Sequence, residues 1–529
     1  MRNQIDIAEI FGTSLLIRDY LTKKESLTTF YNRAFSYVNL VKQAQEKLAH
    51  YPYRKELVTE ITSQLDKLAL TEKQKDNLYK LSLGNTVTIT TGHQLNLMTG
   101  PLYFLYKILH TIKLCDSMNR QQNEIHFVPM FWMATEDHDF KEINHFYFRG
   151  EKIEWNEEHQ DFVGEISTSG GKKILSDFSE KLKYFPNGKK LWEIIEKSYF
   201  SENNLADATR VLVHELFKEY GLLFIDGNNK TLKKLFIPYV RDDIKEQKSF
   251  HSISQTVEKL KSDYKIQVNP RKINFFYHEN QIRNRIDETN GKYYILGTCK
   301  NFNQKDILEE LENNPEKFSP NALLRPVYQE VILPNVAYIG GNAEIAYWLE
   351  LKHYFDIQNL PFPILIPRNS ILLITENQKK KMDKFHWEGK ELFIPKEKII
   401  QSLVEQCTTI KFDLSRYEKQ LTDLFTDLLE KSVQTDPSWK DMILAQQKKQ
   451  LNGLEKINKR FYKAEKLKHK EMVSNFEKLY SDLFPHGTWQ ERIENFSYYY
   501  AIMGINFINL LYKEINEYES VINLSVIQE

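Results

Sequence analysis

TVTITTGHQLNLMTGPLYFLYK, residues 86–107, carries three textures in succession. Thr86 to Gly92 is a β-branched run closed by glycine, which reads as a buried strand stopping at a turn. A polar loop with His93, Gln94 and Asn96 follows. Pro101 then stands where a helix begins, with Leu102, Leu105, Leu109 and Ile112 at helical spacing. The unit recurs: HFVPMFWMAT (126–135) is a second apolar run, followed at once by Glu136, Asp137, His138 and Asp139. LLFID (222–226) is a third and ends in Asp226, while VAYIGG (336–341) and PILIPR (363–368) supply a fourth and a fifth. Strands alternating with helices predict an α/β fold with a doubly wound, mostly parallel sheet. Ligands of such sheets bind at the carboxyl ends of the strands, near a topological switch point.

Outward from this core, residues 29–83 read as a helical lead-in with Phe30, Ala34, Tyr37, Val38 and Val41 on one stripe. Two stretches break the alternation and are expected as insertions: about 146–200, rich in Lys, Glu and Gly, and about 265–325. The second holds the short strands INFFYH and KYYILGTC and a helix through Ile307 and Leu311. Beyond Ile399, the residues Leu403, Cys407, Ile410, Leu414, Tyr417, Leu421, Leu424 and Leu428 alternate in steps of four and three, a heptad seam. TDP at 435–437 breaks it, and Leu454, Ile457, Phe461 and Ala464 mark a second long helix. The expectation is a core over 1–395 and an antiparallel α-helical coiled-coil arm over 396–485, its first helix about 45 Å long. The segment 486–529 then returns to the core. Such an arm either joins two copies of the chain or packs on its own core.

With 41% hydrophobic and 13% aromatic residues, the 529-residue chain has the composition of a folded protein with a large core. Lys plus Arg equal Asp plus Glu at 72 each, so no global field draws it to nucleic acid or an anionic membrane. Cys115, Cys299 and Cys407 stand alone, which argues against disulfides and a thiolate zinc site and fits a reducing cytosol. Asp6, Glu9 and Asp19 interrupt the first residues before any signal-like apolar run, and no membrane span is expected.

Three constellations can carry chemistry. Gly92, His93, Gln94 and Asn96 precede a helix start, where free amides and the dipole favour a phosphate or carboxylate and His93 can add a donor or a proton. Glu136, Asp137, His138 and Asp139 follow a buried strand. There carboxylates can orient the imidazole as a base toward an amine or hold a cation. His145 extends this group, but its spacing is weak evidence for a metal, and none is predicted. Gly340 and Gly341 permit close backbone approach after the fourth strand, with Glu344 opening a helix on the same edge. Arg325 and Arg368 are candidate clamps for a carboxylate or phosphate, or else members of salt bridges. Phosphate-loop and dinucleotide glycine signatures are absent. KMDKF at 381–385 looks like the lysine loop of class I aminoacyl-tRNA synthetase-like enzymes but is short enough to arise by chance.

In these blocks the chain resembles the bacillithiol biosynthesis cysteine-adding enzyme family. TGHQLNLMTGPLYFLYK, VPMFWMATEDHDFKEINH, FSPNALLRPVYQEVILPNVAYIGGNAEIAYW and LFPHGTWQER match the recurrent blocks of that family in order, across nearly the whole length. His93 departs from it, standing where glutamine is common. The resemblance implies a Rossmann-like core with connecting-peptide insertions, a coiled-coil arm used for homodimerisation, and L-cysteine joined to glucosaminyl malate as an amide. It further implies activation of the cysteine carboxylate, most economically as an adenylate with ATP. His93 and Gln94 would then hold phosphate or carboxylate, and His138 with Asp137 or Asp139 would take the amine proton. The rival readings are an ATP-dependent ligase for another amine and a non-catalytic metabolite-binding adaptor.

Overall fold

The computed structural model describes residues 4–408, 413–436 and 438–527. Two units result: Met1–Ile374 with Thr488–Glu529, and Thr375–Gly487. The first is built on five parallel strands, β1 (Thr86–His93), β2 (His126–Met133), β3 (Leu223–Asp226), β4 (Asn335–Gly340) and β5 (Ile364–Pro367). They lie in the order β5-β4-β1-β2-β3. The chain runs outward from β1 to β3, returns to place β4 on the other side of β1, and continues to β5. That is the Rossmann-like, doubly wound order, with its switch point between β1 and β4. The strands are covered on both faces and almost wholly buried, which is why they read as apolar runs rather than alternating ones.

Helix α1 (Tyr103–Gln121) makes the first crossover, and its apolar stripe is buried against the sheet. Three further helices matter for the site: α2 (Arg325–Ile332) before β4, and α3 (Asn342–Leu349) with the short helix Lys352–Ile357 after it. The lead-in helix begins only at Tyr37, with Ser36 as N-cap, so Phe30 and Ala34 lie outside it and Val38 faces outward. Two groups of elements lie outside the core sheet over the stretches that break the alternation. The first is the hairpin His145–Phe148 with Glu151–Glu154, followed by helices. The second is a five-stranded antiparallel sheet whose strands Phe275–Glu279 and Ile282–Thr289 lie at its middle, with helix Gln304–Asn313 alongside. Residues 488–527 return to this unit, and Val521–Ile527 pairs antiparallel with Gln4–Asp6. Among the described residues no helix is long and apolar enough to cross a membrane.

The second unit contains α4 (Lys396–Cys407), α5 (Ser415–Thr435), α6 (Trp439–Lys468) and α7 (Lys470–Leu483). The α5–α6 pair forms the antiparallel hairpin. The seam from Leu403 to Leu428 is therefore not one helix. Its first part belongs to α4, where Leu403 is buried on a helix packed against α7. Ile410 lies outside the described residues, and a new helix starts after Leu414. At 21 residues α5 spans about 32 Å, shorter than expected, whereas α6 at 30 residues reaches about 45 Å. KMDKF occupies the last turn and cap of helix Glu376–Lys384, not a loop.

Candidate active site

The carboxyl ends of β1, β2 and β4 open into a cavity of about 620 Å³ at the switch point. Gly92, His93 and Gln94 reach it from β1, Glu136, Asp137 and His138 from the loop after β2, Tyr338 from β4, and Glu344 and Tyr347 from α3. The facing wall is the second insertion, which brings Arg271, Arg283 and Arg285, and Arg325 at the start of α2 completes it.

Two of the three carboxylates are neutralised from below. Lys107 Nζ sits 2.6 Å from Glu344 Oε2 and donates to the Gly92 carbonyl at 2.7 Å. Glu344 also accepts from Tyr338 Oη at 2.7 Å and from the Gly341 amide at 2.8 Å. Burial works against its charge, but the lysine and these donors hold its carboxyl down at about 2. Lys233, equally buried, pairs with Glu136 and donates to the Phe318 carbonyl at 2.7 Å. Asp137 has no lysine. It accepts from Gln94 Nε2 at 2.6 Å and from the His138 amide at 2.7 Å. Burial pushes its carboxyl up, yet the His138 side chain, these hydrogen bonds and the nearby Arg283 charge hold it below the usual range. Three carboxylates thus stand against two lysines and four guanidinium groups around the cavity, which favours a ligand with several negative charges.

Arg325 donates through Nη1 to Gln329 Oε1 at 3.0 Å, while its buried Nη2 has no hydrogen-bond partner in the protein. An orphaned donor of this kind costs stability unless a ligand satisfies it. Arg283 lies 3.9 Å over the Phe276 ring and donates to Ser319 Oγ and the Pro320 carbonyl, both at 2.8 Å.

Residues 2–369 match the description "Bacillithiol biosynthesis BshC, N-terminal Rossmann-like domain", and residues 371–524 match "Bacillithiol biosynthesis BshC, C-terminal coiled-coil domain". The chain belongs to the BshC family. A relative from Flavobacterium johnsoniae is 43% identical over 516 residues, covering 97% of each chain. One from Flavobacterium psychrophilum is 45% identical over 499 residues, covering 94% of each, and one from Bacillus cytotoxicus is 26% identical over 516 residues, covering 94% of this chain and 95% of its own. All three carry the name "Putative cysteine ligase BshC".

In this BshC-family chain the cavity gathers Gly92, His93, Gln94, Glu136, Asp137, His138, Arg325 and Glu344. It does not gather Asn96, Asp139, Gly340, Gly341 or Arg368. Asp139 caps a short helix by accepting from the Glu142 amide at 3.3 Å. Asn96 is buried beside Gly100, and the helix start it precedes is closed to an anion. Pro101 has no amide hydrogen, the Leu102 amide donates to the Glu494 carbonyl at 2.8 Å, and the Met98 amide donates to Tyr199 Oη at 2.9 Å. Gly340 makes room for a neighbour, not a ligand, since a Cβ there would lie 2.9 Å from the Tyr338 ring. Gly341 and Arg368 line a separate cavity of about 360 Å³ beyond the first turn of α3. Arg368 is no free clamp, because both its terminal nitrogens bond Glu491, at 2.8 and 2.6 Å. His145 sits on the hairpin with Nδ1 3.0 Å from Asn144 Oδ1.

His93 lines the cavity but does not offer the donor expected of it. Its Nδ1 is 3.0 Å from the Gln94 carbonyl, which can only accept, so the ring proton is spent there. Burial, reinforced by the Lys107 charge, lowers its basicity to about 3, and it stands as a neutral ring tilted over Tyr103 and Phe104. The residues that the sequence did not mark are Arg271, Arg283 and Arg285, and the lysines Lys107 and Lys233. Arg283 and Arg285 lie on IRNRIDET, a strand with four other charged or polar positions, where nothing singles them out.

The wall segment holding Gln267 and Val268 is fixed by Glu350, whose Oε1 accepts from the Gln267 amide at 2.9 Å. Burial raises the Glu350 carboxyl to about 7, and its Oε2 has no partner. A carboxyl raised on folding favours the native state below its unfolded value and loses that contribution as pH rises through the folded one. Glu350→Gln keeps the acceptor without the charge. It is expected to match the wild type near pH 4 and to be more stable at pH 8 by about 3 kcal/mol. Urea unfolding of both proteins at the two pH values checks this.

Proposed function

We propose that the chain is a ligase that joins the carboxyl group of L-cysteine to the amine of glucosaminyl malate, forming an amide, with ATP as the activating co-substrate. The relatives' name supports the cysteine part. The observation that carries the reading is the switch-point cavity with four arginines, one of them holding an unpartnered buried Nη2. Cysteine, a malate group and a polyphosphate are all anionic, and together they match that excess of positive charge. ATP, when bound, supplies the energy that makes the cysteine carboxyl reactive. Arg271 and Arg285 at the cavity mouth suit its phosphates, and Arg325 suits a carboxylate. His138 and Asp137 stand side by side between the strand end and the arginine wall, where the amine and carboxyl would meet. The three cysteines are free, Cys115 buried and the others exposed, in keeping with a reducing cytosol.

The purified full chain, given cysteine, glucosaminyl malate and ATP, is expected to yield the amide by mass. No product with these three, but product with another amine, would transfer the reading to that amine. Arg325→Met is expected to raise the KM for cysteine about tenfold or more and to leave the KM for the sugar nearly unchanged. Steady-state kinetics with each substrate varied in turn checks it.

The arm is proposed to join two copies. Phe425 on α5 and Leu414 just before it are buried, whereas Tyr417, Leu424 and Leu428 form an exposed apolar stripe at spacings of seven and four. Such a stripe on an otherwise polar helix favours association. The double variant Leu424→Lys, Leu428→Lys is expected to sediment as a monomer with an unchanged helical signal, while the wild type sediments as a dimer.

A further inference from the structure

Sequence reasoning gave His138 the part of proton acceptor, but the groups around its ring decide which nitrogen can accept. Arg283 Nη1 lies 3.0 Å from His138 Nδ1. A guanidinium has donors only, so at this contact Nδ1 must present its lone pair. The other candidate partner is Asp137 Oδ1, at 3.6 Å from the same nitrogen. At 3.6 Å this contact is longer than the 3.0 Å one from Arg283 and too long for a full hydrogen bond, although the His138 side chain still helps to hold the Asp137 carboxyl down.

The guanidinium is itself held in place. Nε donates to Ser319 Oγ, Nη2 donates to the Pro320 carbonyl, and the group lies over Phe276, leaving Nη1 to face the imidazole. The His138 ring rests 5.5 Å from the same Phe276 ring. Three anchors on the arginine and one on the histidine leave little freedom to break the contact.

We propose that Arg283 is a positioning residue that holds His138 in the tautomer with its proton on Nε2, so that His138 acts as a hydrogen-bond donor to an anionic oxygen of the bound substrates. Nδ1 is occupied, and Nε2, on the open edge of the ring, carries the only ring proton. A second proton on Nδ1 would set an N–H against the N–H of Arg283. His138 therefore stabilises negative charge and does not remove the amine proton. Its donor and the Arg283 charge act on the same region, as an oxyanion site requires. The identity of that oxygen, on the reacting carboxyl or on a phosphate, rests on the ligase reading. The tautomer does not.

The test uses the full chain labelled with ¹⁵N in histidine, the His138 signals being assigned by their loss in His138→Gln. The two ring-nitrogen shifts report which nitrogen bears hydrogen. The expected result is a bare Nδ1 and a protonated Nε2 across the neutral range, and a proton on Nδ1 in the wild type overturns the proposal. In Arg283→Met, a population with Nδ1 protonated should appear. Amide formation should fall about 100-fold. An unchanged tautomer and rate in a folded Arg283→Met overturns the proposal. Arg283→Lys, which keeps a donor and a charge, should restore the Nε2 proton and part of the rate; failure to do so in a folded protein counts against it. Should Arg283→Met not fold, the wild-type and lysine spectra decide alone. If the wild type forms no amide from cysteine, glucosaminyl malate and ATP, the ligase reading falls while the tautomer result still stands or falls by itself.

Discussion

Arg368→Met is expected to lower the unfolding free energy by about 3–5 kcal/mol, the usual result of leaving one member of a buried ion pair without its partner. Arg368 and Glu491 are 7% and 3% exposed, and their contact is bidentate. Among the described residues Glu491 makes no other ion pair. Arg368 also donates to Ser370 Oγ at 3.0 Å, so its loss leaves more than one acceptor unsatisfied. The pair joins the end of β5 to the returning C-terminal segment, and the effect should appear in urea unfolding. In whatever fraction of Arg368→Met remains folded, the KM for cysteine should stay near the wild-type value, in contrast to Arg325→Met. A well-folded Arg368→Met with a selectively raised cysteine KM would give Arg368 a ligand after all.

His138→Ala, by contrast, should leave stability within about 0.5 kcal/mol and cost amide formation 10²- to 10³-fold, as losing one preorganised donor does. The side chain is 42% exposed and carries no packing load, its ring being only tilted against Phe276. Thermal unfolding and single-turnover measurements on the same preparation separate the two effects. A folded variant with near-normal turnover would remove His138 from the chemistry.

These two residues also mark what the sequence could and could not tell. The five core strands were legible because strands covered on both faces must be apolar throughout, and TVTITTG, HFVPMFWM and NVAYIG satisfy that without help from tertiary structure. The acidic loop after β2 was legible for a related reason: in a parallel sheet the polar residues after an apolar run lie at the carboxyl edge. Arg368 stayed open between clamp and salt bridge because its partner stands 123 positions away, and a strand-end arginine looks the same whether it waits for a ligand or for Glu491. Arg283 was invisible on the same grounds, since it meets His138 across 145 positions through a sheet whose pairing no local pattern specifies. In the arm, the heptad rhythm runs through residues 403–428, yet helix α4 ends at Cys407. Periodicity records which positions are apolar but not whether one helix joins them.

The loop that leads from β1 into α1 is closed by residues made almost four hundred positions later. Met98, Thr99 and Gly100 all sit at positive φ, a backbone conformation costly for a β-branched residue such as Thr99. Asn495 holds the carbonyls of Met98 and Gly100, and Glu494 takes the Leu102 amide. During synthesis at about 5–20 residues per second, β1 and α1 therefore spend roughly 20–80 s outside the ribosome before that clasp exists. The helical hairpin of residues 415–468, whose contacts are local, can form in the interval, while the loop beside His93 waits. A nascent chain arrested before Glu494 should bury most of the parallel sheet and still lack the ordered turn that joins β1 to α1.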